Sequence, residues 1–179
     1  IQNNIIRACL KYTKIKKKLY ISTVSDIPDS TGLGSSSAFT VGLLKALFKI
    51  KGVRKTNKEL AKIATIIEIK ILKYPIDIKN QYSCSIGGFN EISFLSNNKV
   101  KIIKLDKYLS IKKVLKNSIL IWTGNYKKSN LILKDQNNNI KKNTKFLKQI
   151  LETTNTVSSK IKRKSMSYKD FIYTLRQIW

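Results

Sequence analysis

The feature that most constrains this sequence is a glycine- and serine-rich turn that leads directly into an apolar helical pattern. Residues 28–38 are Pro-Asp-Ser-Thr-Gly-Leu-Gly-Ser-Ser-Ser-Ala. Glycines let backbone N–H groups approach an anion, and the first turn of a helix leaves N–H groups unpaired at the positive end of its dipole. The turn therefore predicts a phosphate-binding site. A flexible linker or a simple helix cap is the alternative.

The segments on both sides of the turn favour phosphate binding over a linker. Residues 18–25 are rich in β-branched and aromatic side chains and predict a strand, and residues 36–51 have the apolar spacing of a helix. A linker would not lie inside such a strand–turn–helix unit. The chain has no Gly-Lys-Ser/Thr sequence of the Walker type, which disfavours a P-loop NTPase.

The rest of the chain predicts further helices and a hairpin. A capping box from Thr56 to Glu59 begins a helix that runs to about Tyr74, where Pro75 ends it. The other predicted elements are the end of a helix in 1–13, hairpin strands in 89–95 and 100–105, a strand in 119–123, a helical pattern in 129–163 interrupted at 137–139, and a last helix from about 168.

Length and composition limit the class of protein. The 179 residues suit one domain, or one domain plus part of a second. Because the chain begins at Ile1 and stops at Trp179 inside a helical pattern, we expect a fragment of a longer protein. No apolar run approaches the ~18 residues that a membrane span needs. Two isolated cysteines and no histidine argue against a disulfide framework and a zinc site, so we expect a cytoplasmic location.

The formal net charge of +26 raises the question of nucleic-acid binding. The lysines are spread along the whole chain with abundant isoleucine and asparagine, as expected from an AT-rich genome, and arginine is scarce. We therefore predict solvated helix faces and a field that favours anionic substrates, with no specific nucleic-acid partner. The alternative is a basic module that binds a polyanion through the Gly/Ser turn without chemistry.

Glu68 is an acidic residue in an apolar setting. It shares a predicted helix face with Ala61, Ala64 and Leu72, and none of its neighbours three or four positions away is a cation. Such a carboxylate is costly to bury unless a positive group meets it from outside the helix, and magnesium beside a triphosphate would serve. An exposed or tertiary-paired glutamate is the alternative.

Residues 75–90 combine polar side chains with a glycine pair. Asn80 and Gln81 carry amides that can hydrogen-bond sugar hydroxyls. Gly87 and Gly88 directly precede a predicted strand, where glycine allows close approach of the backbone to a ligand. A tight turn explains the glycine pair equally well.

Taken together, these segments resemble the GHMP-type small-molecule kinases, and within them most closely the heptose 7-phosphate kinases. The matching segments occur in order over residues 25–136: Ser25-Asp26 with Pro28, Gly32-Leu33-Gly34-Ser35-Ser36-Ser37, Glu68, Asn80-Gln81-Tyr82, Gly87-Gly88-Phe89-Asn90, and Thr123-Gly124 with Ser129 and Gln136. The resemblance implies a two-layer fold of α+β or α/β class. It places a truncated N-terminal ATP-binding domain in 1–117 and the beginning of a C-terminal domain in 118–179, with ATP and acceptor between them.

The resemblance also assigns roles to individual residues. ATP would bind at Gly32, Leu33, Gly34, Ser35, Ser36 and Ser37; Mg²⁺ would be held by Ser36 and Glu68; and a sugar-phosphate substrate would face Asn80, Gln81, Tyr82, Gly87 and Gly88. The implied reaction moves the γ-phosphoryl group of ATP to a sugar or sugar-phosphate hydroxyl, with catalysis mainly by positioning and electrostatics. No membrane partner is implied, and a homodimer stays open.

One departure from the family concerns the catalytic position. The heptose 7-phosphate branch usually carries Gln-Asp-Gln where this chain has Lys79-Asn80-Gln81, so Asn80 stands in place of the catalytic aspartate. An amide does not accept the hydroxyl proton as a carboxylate does. Three explanations stay open: a pseudokinase, a kinase that works without a base as the resemblance to homoserine kinases permits, or Asp77 as a substitute base.

Two further motifs of the family have no match in this sequence. These are the N-terminal basic and glycine motif and the C-terminal glycine-rich motif. We therefore expect that residues 1–179 alone do not turn over. Lys79 has two interpretations: it binds a substrate phosphate, or it is simply exposed to solvent.

Overall fold

The computed structural model describes residues 1–26, 31–97, 99–107, 116–121, 135 and 138–178. These residues form helices and one small antiparallel sheet, so the mixed helix and sheet content of the α+β prediction is confirmed. The elements are α1 (Asn4–Thr13), α2 (Ser35–Ile50), α3 (Asn57–Thr65), a π-helical segment (Ile66–Ile71), α4 (Lys79–Ile86), β1 (Asn90–Phe94), β2 (Val100–Lys104), α5 (Ile140–Lys162) and α6 (Tyr168–Ile178).

The first of two compact units contains residues 1–87 and is helical. Its core is formed by apolar side chains of α1, α2, α3 and the π-helical segment. Leu44, Leu47, Leu60 and Ile67 are at most 1% exposed. Since full burial of such a side chain contributes about 1.5–3 kcal/mol, this core holds α2 and the π-helical segment in place.

The start of α3 confirms the predicted capping box. The hydroxyl of Thr56 accepts a hydrogen bond from the Glu59 N–H at 3.2 Å, and the Glu59 carboxylate accepts one from the Thr56 N–H at 2.9 Å. The helical path continues from α3 into the π-helical segment and ends at Ile71, close to the predicted end before Pro75. The sequence predicted one continuous helix here, and the structure shows that its geometry changes from α to π at Ile66.

The strand predicted over residues 18–25 is wrong, because no strand is assigned there. The side chains do alternate: Leu19 and Ile21 pack against the core, whereas Tyr20 and Val24 are 95% and 93% exposed. A strand also needs a neighbour to accept and donate its backbone hydrogen bonds, and among the described residues the sheet consists of β1 and β2. Residues 18–25 therefore have the alternating pattern of a strand but pair with no other strand in the described part of the chain.

The second compact unit is built from described residues of 88–121 and 136–179. β1 and β2 form the predicted hairpin, with Asn90 opposite Lys104 and Phe94 opposite Val100. α6 begins at Tyr168, as predicted. The rings of Phe89 and Phe171 meet edge to face with centroids 6.0 Å apart.

A partly exposed ion pair links β1 to α5 within the second unit. The Glu91 carboxylate accepts hydrogen bonds from the Lys162 ammonium at 2.5 Å and from the Ser158 hydroxyl. The hydrogen bond from Lys162, followed by that from Ser158, lowers the pKa of Glu91. These contacts fix the hairpin against the helix that carries Lys162.

Other predictions in this half of the chain have mixed outcomes. Residues 119–121 have no strand assigned and are exposed, so that part of the predicted strand is wrong; residues 122–123 lie outside the described residues. Most of 129–137 also lies outside them, while α5 falls within the predicted helical pattern. The predicted domain boundary near residue 117 adjoins undescribed residues and stays a prediction. None of the helices in the described ranges is long and apolar enough to cross a membrane.

Candidate functional site

Glu68 is the centre of a buried hydrogen-bond cluster in the first unit. Its side chain is 0% exposed. Oε1 accepts a hydrogen bond from the Ser36 hydroxyl, and Oε2 accepts one from the Ser37 hydroxyl at 3.0 Å and one from Gln81 Nε2 at 2.6 Å. The structure thus brings together four residues from α2, the π-helical segment and α4 that the sequence motifs singled out.

The π-helical segment positions Glu68 between the core and α2. Ile67 beside it is fully buried, and the Leu72 N–H bonds to the Ile67 carbonyl at 2.9 Å across the wide turn. Such wide turns within helices often occur at functional sites. The apolar spacing predicted a helix here and carries no signal for the π geometry.

The glycine turn before α2 contains two glycines in the left-handed region of backbone conformation. Gly34 is the N-cap of α2 with φ of 76°, and no side chain caps the helix start. The N–H groups of the first turn, which includes Ser35, Ser36 and Ser37, have no partner within the helix. Gly32 also has a positive φ of 78°, and Leu33 between the glycines is 51% exposed. Residues 27–30 of the turn, with Pro28, lie outside the described residues.

Asn80 lies directly against this turn. A Cβ added at Gly34 would be 3.5 Å from Asn80 Cγ, which is ordinary van der Waals contact. The position that the family resemblance gives to the catalytic aspartate is therefore adjacent to the predicted phosphate-binding turn. Sequence spacing alone does not predict this contact, because Gly34 and Asn80 are 46 positions apart in the chain.

Gln81 and Tyr82, both predicted to face a substrate, are buried side chains. Gln81 is 0% exposed with its amide nitrogen on Glu68, and Tyr82 is 6% exposed. Burial raises the pKa of Tyr82. Their contact with a substrate stays a prediction.

The glycine pair serves two turns. Gly87 caps the end of α4, donating its N–H to the Ser83 carbonyl at 3.0 Å. A Cβ added at Gly88 would be 2.8 Å from the Asp106 carboxylate, which also accepts the Phe89 N–H at 2.7 Å. The absence of a side chain at Gly88 therefore makes room for Asp106, in agreement with the tight-turn alternative.

Asp77, the candidate substitute base, lies before α4 and is exposed. Its carboxylate accepts the Lys79 backbone N–H at 3.0 Å and lies 3.6 Å from the Lys79 ammonium. The Asp77 carboxylate and the Lys79 ammonium therefore already contact each other at the start of α4. Thr123, Gly124, Ser129 and Gln136 lie outside the described residues.

The charge on Glu68 reaches both cysteines of the chain. Burial, with the Glu68 charge as a second cause, raises the pKa of Cys9 to about 12 and also raises that of Cys84. Cys84 Sγ is 3.9 Å from the Gly34 carbonyl, a contact that the sequence analysis missed because an isolated cysteine carries no signal. Among the described residues, none of the ion pairs involves Glu68.

This geometry agrees with a comparison against protein families. Residues 3–88 match the GHMP kinases N terminal domain, so this segment is similar to that family. All four residues of the Glu68 cluster lie within it.

Three kinases are similar to the chain over parts of their length. A D-glycero-alpha-D-manno-heptose 7-phosphate kinase of Campylobacter jejuni is 34% identical over 100 residues, which is 56% of this chain and 29% of that protein. A mevalonate kinase of Saccharolobus solfataricus is 39% identical over 62 residues, 35% of this chain and 20% of that protein. A homoserine kinase of Nitratiruptor is 34% identical over 98 residues, 55% of this chain and 31% of that protein. The alignments therefore span less than a third of each relative. No solved structure gives a significant match.

Proposed function

We propose that the protein containing this chain is an ATP-dependent kinase that phosphorylates a hydroxyl of a sugar or sugar phosphate, with heptose 7-phosphate as the first substrate to test. The observation that carries the proposal is the buried Glu68 carboxylate bound to Ser36 and Ser37, directly behind the glycine turn at Gly34. The similarity to the Campylobacter heptose 7-phosphate kinase supports the choice of substrate. A cytoplasmic location and a homodimer stay predictions.

The start of α2 would bind the phosphates of ATP. The first-turn N–H groups of a helix have no partner within the helix, no side chain among the described residues caps this start, and the positive end of the helix dipole favours an anion there. Gly32 and Gly34 adopt positive φ values, which glycine tolerates because it has no Cβ, and the missing Cβ leaves room for an anion at the backbone. Residues 32–37 would therefore hold the phosphates mainly through backbone groups.

The residues present fit a magnesium ion shared between Ser36 and Glu68. Both offer hard oxygen atoms, and Glu68 is fully buried with no ion pair to any described residue. Mg²⁺ typically takes one or two carboxylates and completes its shell with phosphates and water. When bound, the ion would neutralise charge on the terminal phosphates.

Asn80 stands at the position of the family's catalytic aspartate, so its amide determines which help the acceptor hydroxyl can receive there. Its amide lies beside Gly34 and can orient a hydroxyl by hydrogen bonding, yet it does not take the proton. Since phosphoryl transfer depends largely on positioning and charge stabilisation, we favour a kinase that works without a carboxylate base. Asp77 is the weaker candidate because Lys79 already engages both of its oxygens.

The test is magnesium-dependent phosphoryl transfer from ATP to heptose 7-phosphate by the full-length protein. We expect turnover by the natural sequence and a loss of about 10²-fold or more in Ser36→Ala, on the scale of removing one charge-stabilising group. The matched control is Ser83→Ala, which removes an exposed hydroxyl of α4 and should leave turnover unchanged.

An Asn80→Asp variant separates the kinase from its main rival. A pseudokinase that binds ATP without catalysis is the second candidate, and the amide at position 80 favours it. Activity only in Asn80→Asp would indicate a decayed kinase with an intact binding site. Lack of turnover by both sequences, with magnesium-dependent ATP binding retained, would reject heptose 7-phosphate as the substrate or indicate a pseudokinase.

A further inference from the structure

The Gln81 amide has one satisfied end and one unsatisfied end. Its nitrogen donates to Glu68 Oε2 at 2.6 Å, while its oxygen is buried with no hydrogen-bond partner among the described residues. A carboxylate only accepts hydrogen bonds, so Glu68 determines which end of the amide faces it. The unpaired oxygen is therefore a consequence of the contact with Glu68.

This arrangement is unfavourable for a residue whose only role is packing. A buried carbonyl without a partner loses its hydration without replacement, and methionine would fill a similar space without that loss. Ser85, four residues later on the same helix, offers a contrast. It is also buried, and its hydroxyl donates to the Asn57 carbonyl, a contact that ties α4 to the start of α3.

The two oxygens of Glu68 are not equivalent. Oε2 accepts from both Ser37 and Gln81, whereas Oε1 accepts from Ser36 alone. Each carboxylate oxygen offers about two lone pairs. Oε2 is thus fully used, and the free lone pair lies on Oε1, the oxygen beside Ser36.

We infer that Gln81 is a positioning residue that occupies Oε2 of Glu68 and so presents Oε1, together with the Ser36 hydroxyl, to a divalent cation. The inference rests on the proposed function, and it assigns Gln81 to the metal end of that site instead of the sugar. Partners that orient a metal-binding carboxylate from behind commonly tune metal affinity about 10- to 100-fold.

The test measures the Mg²⁺ concentration that gives half-maximal binding of a non-hydrolysable ATP analogue to the full-length protein, with thermal melting measured in parallel. We expect Gln81→Met to raise that concentration about 10- to 100-fold while metal-free binding of the analogue stays the same. Gln81→Asn is a second variant in case Gln81→Met folds poorly. Its shorter side chain does not reach Glu68, so it should also raise the magnesium concentration needed. Ser85→Ala is the matched control and should lower the melting temperature without changing the magnesium requirement.

Two outcomes would overturn the inference, and they differ in what else they overturn. If the natural protein binds the analogue equally well with and without magnesium, the proposed metal site and the inference both fail. If the natural protein requires magnesium and both Gln81 variants require the same concentration, the inference alone fails. Gln81 would then be a packing residue of α4.

Discussion

Glu68 is a buried acid whose electrostatic effect extends beyond its own hydrogen bonds. Its carboxylate is held by two serines of α2 and by Gln81, and its charge contributes to the raised pKa values of Cys9 and Cys84. Cys9 is fully buried, whereas Cys84 is exposed and accessible to reagents. Cys84 is therefore a natural reporter of the charge at Glu68.

Replacing Glu68 by glutamine should lower the pKa of the Cys84 thiol. A nearby negative charge disfavours the thiolate, so its removal stabilises the thiolate and lets alkylation begin at a lower pH. The measurement is the pH dependence of the alkylation rate in Glu68→Gln and in the natural protein. Burial, the larger cause of the raised pKa, remains in the variant, so the shift should be partial.

Two controls make the alkylation experiment specific. Cys84→Ser should abolish the reaction, because Cys9 is buried and its pKa is raised to about 12. Glu59→Gln, which removes an exposed acid elsewhere in the first unit, should leave the midpoint unchanged. The same midpoint in Glu68→Gln and the natural protein would contradict the electrostatic link.

At the scale of elements, the start of α3 makes a pH-dependent contribution to stability. The Thr56 backbone N–H is the main cause that lowers the pKa of Glu59, followed by hydrogen bonds from the side chains of Lys55 and Thr56; the pKa falls from 4.5 to about 2. Because the folded pKa is below the unfolded one, this contribution is complete above about pH 4.5 and is lost as the pH falls toward 2.

Glu59→Gln should therefore lower the free energy of unfolding at pH 7, and the difference from the natural protein should shrink between pH 4.5 and 2. Glutamine keeps a capping side chain and loses only the charge, so the comparison isolates the contribution of the carboxylate charge to stability. Urea unfolding of both proteins at several pH values measures this difference in the free energy of unfolding. A difference that stays constant down to the acid limit would contradict the prediction, and Glu152→Gln on α5 is an exposed control.

The whole molecule carries a net charge of +26, which attracts any polyanion to some degree. The kinase proposal and the polyanion alternative respond differently to salt and to magnesium. Binding through many lysine–phosphate contacts falls steeply with salt, by about 10³- to 10⁵-fold between 50 and 200 mM for six to ten contacts. Binding at one small site around Glu68 involves far fewer charges.

We therefore expect binding of an ATP analogue to need magnesium and to weaken only modestly as salt increases. Duplex DNA measured over the same salt range should bind without a magnesium requirement, and its affinity should fall steeply as salt increases. A steep salt dependence of the ATP analogue, with no effect of magnesium or of Ser36→Ala, would favour the polyanion alternative.

Signals confined to a few neighbouring residues predicted much of the local structure. The capping box at Thr56, the hairpin of β1 and β2, and the start of α6 at Tyr168 were all predicted correctly. The glycine turn before α2 was identified from its composition, and the structure places Gly34 in a left-handed conformation at the start of that helix. The capping groups are three positions apart, and the two hairpin strands follow each other directly along the chain, so one short stretch of sequence contains both partners of each interaction.

The sequence by itself determined that a glycine turn precedes a helix and that an acid stands on an apolar helix face. Only the tertiary structure decided that Ser36, Ser37 and Gln81 all bond to Glu68 and that the helix widens into a π turn there. It also showed that residues 18–25 pair with no strand among the described residues. These outcomes depend on groups 13 to 32 positions apart, or on a neighbouring strand, and so on how the core brings α2, the π-helical segment and α4 together.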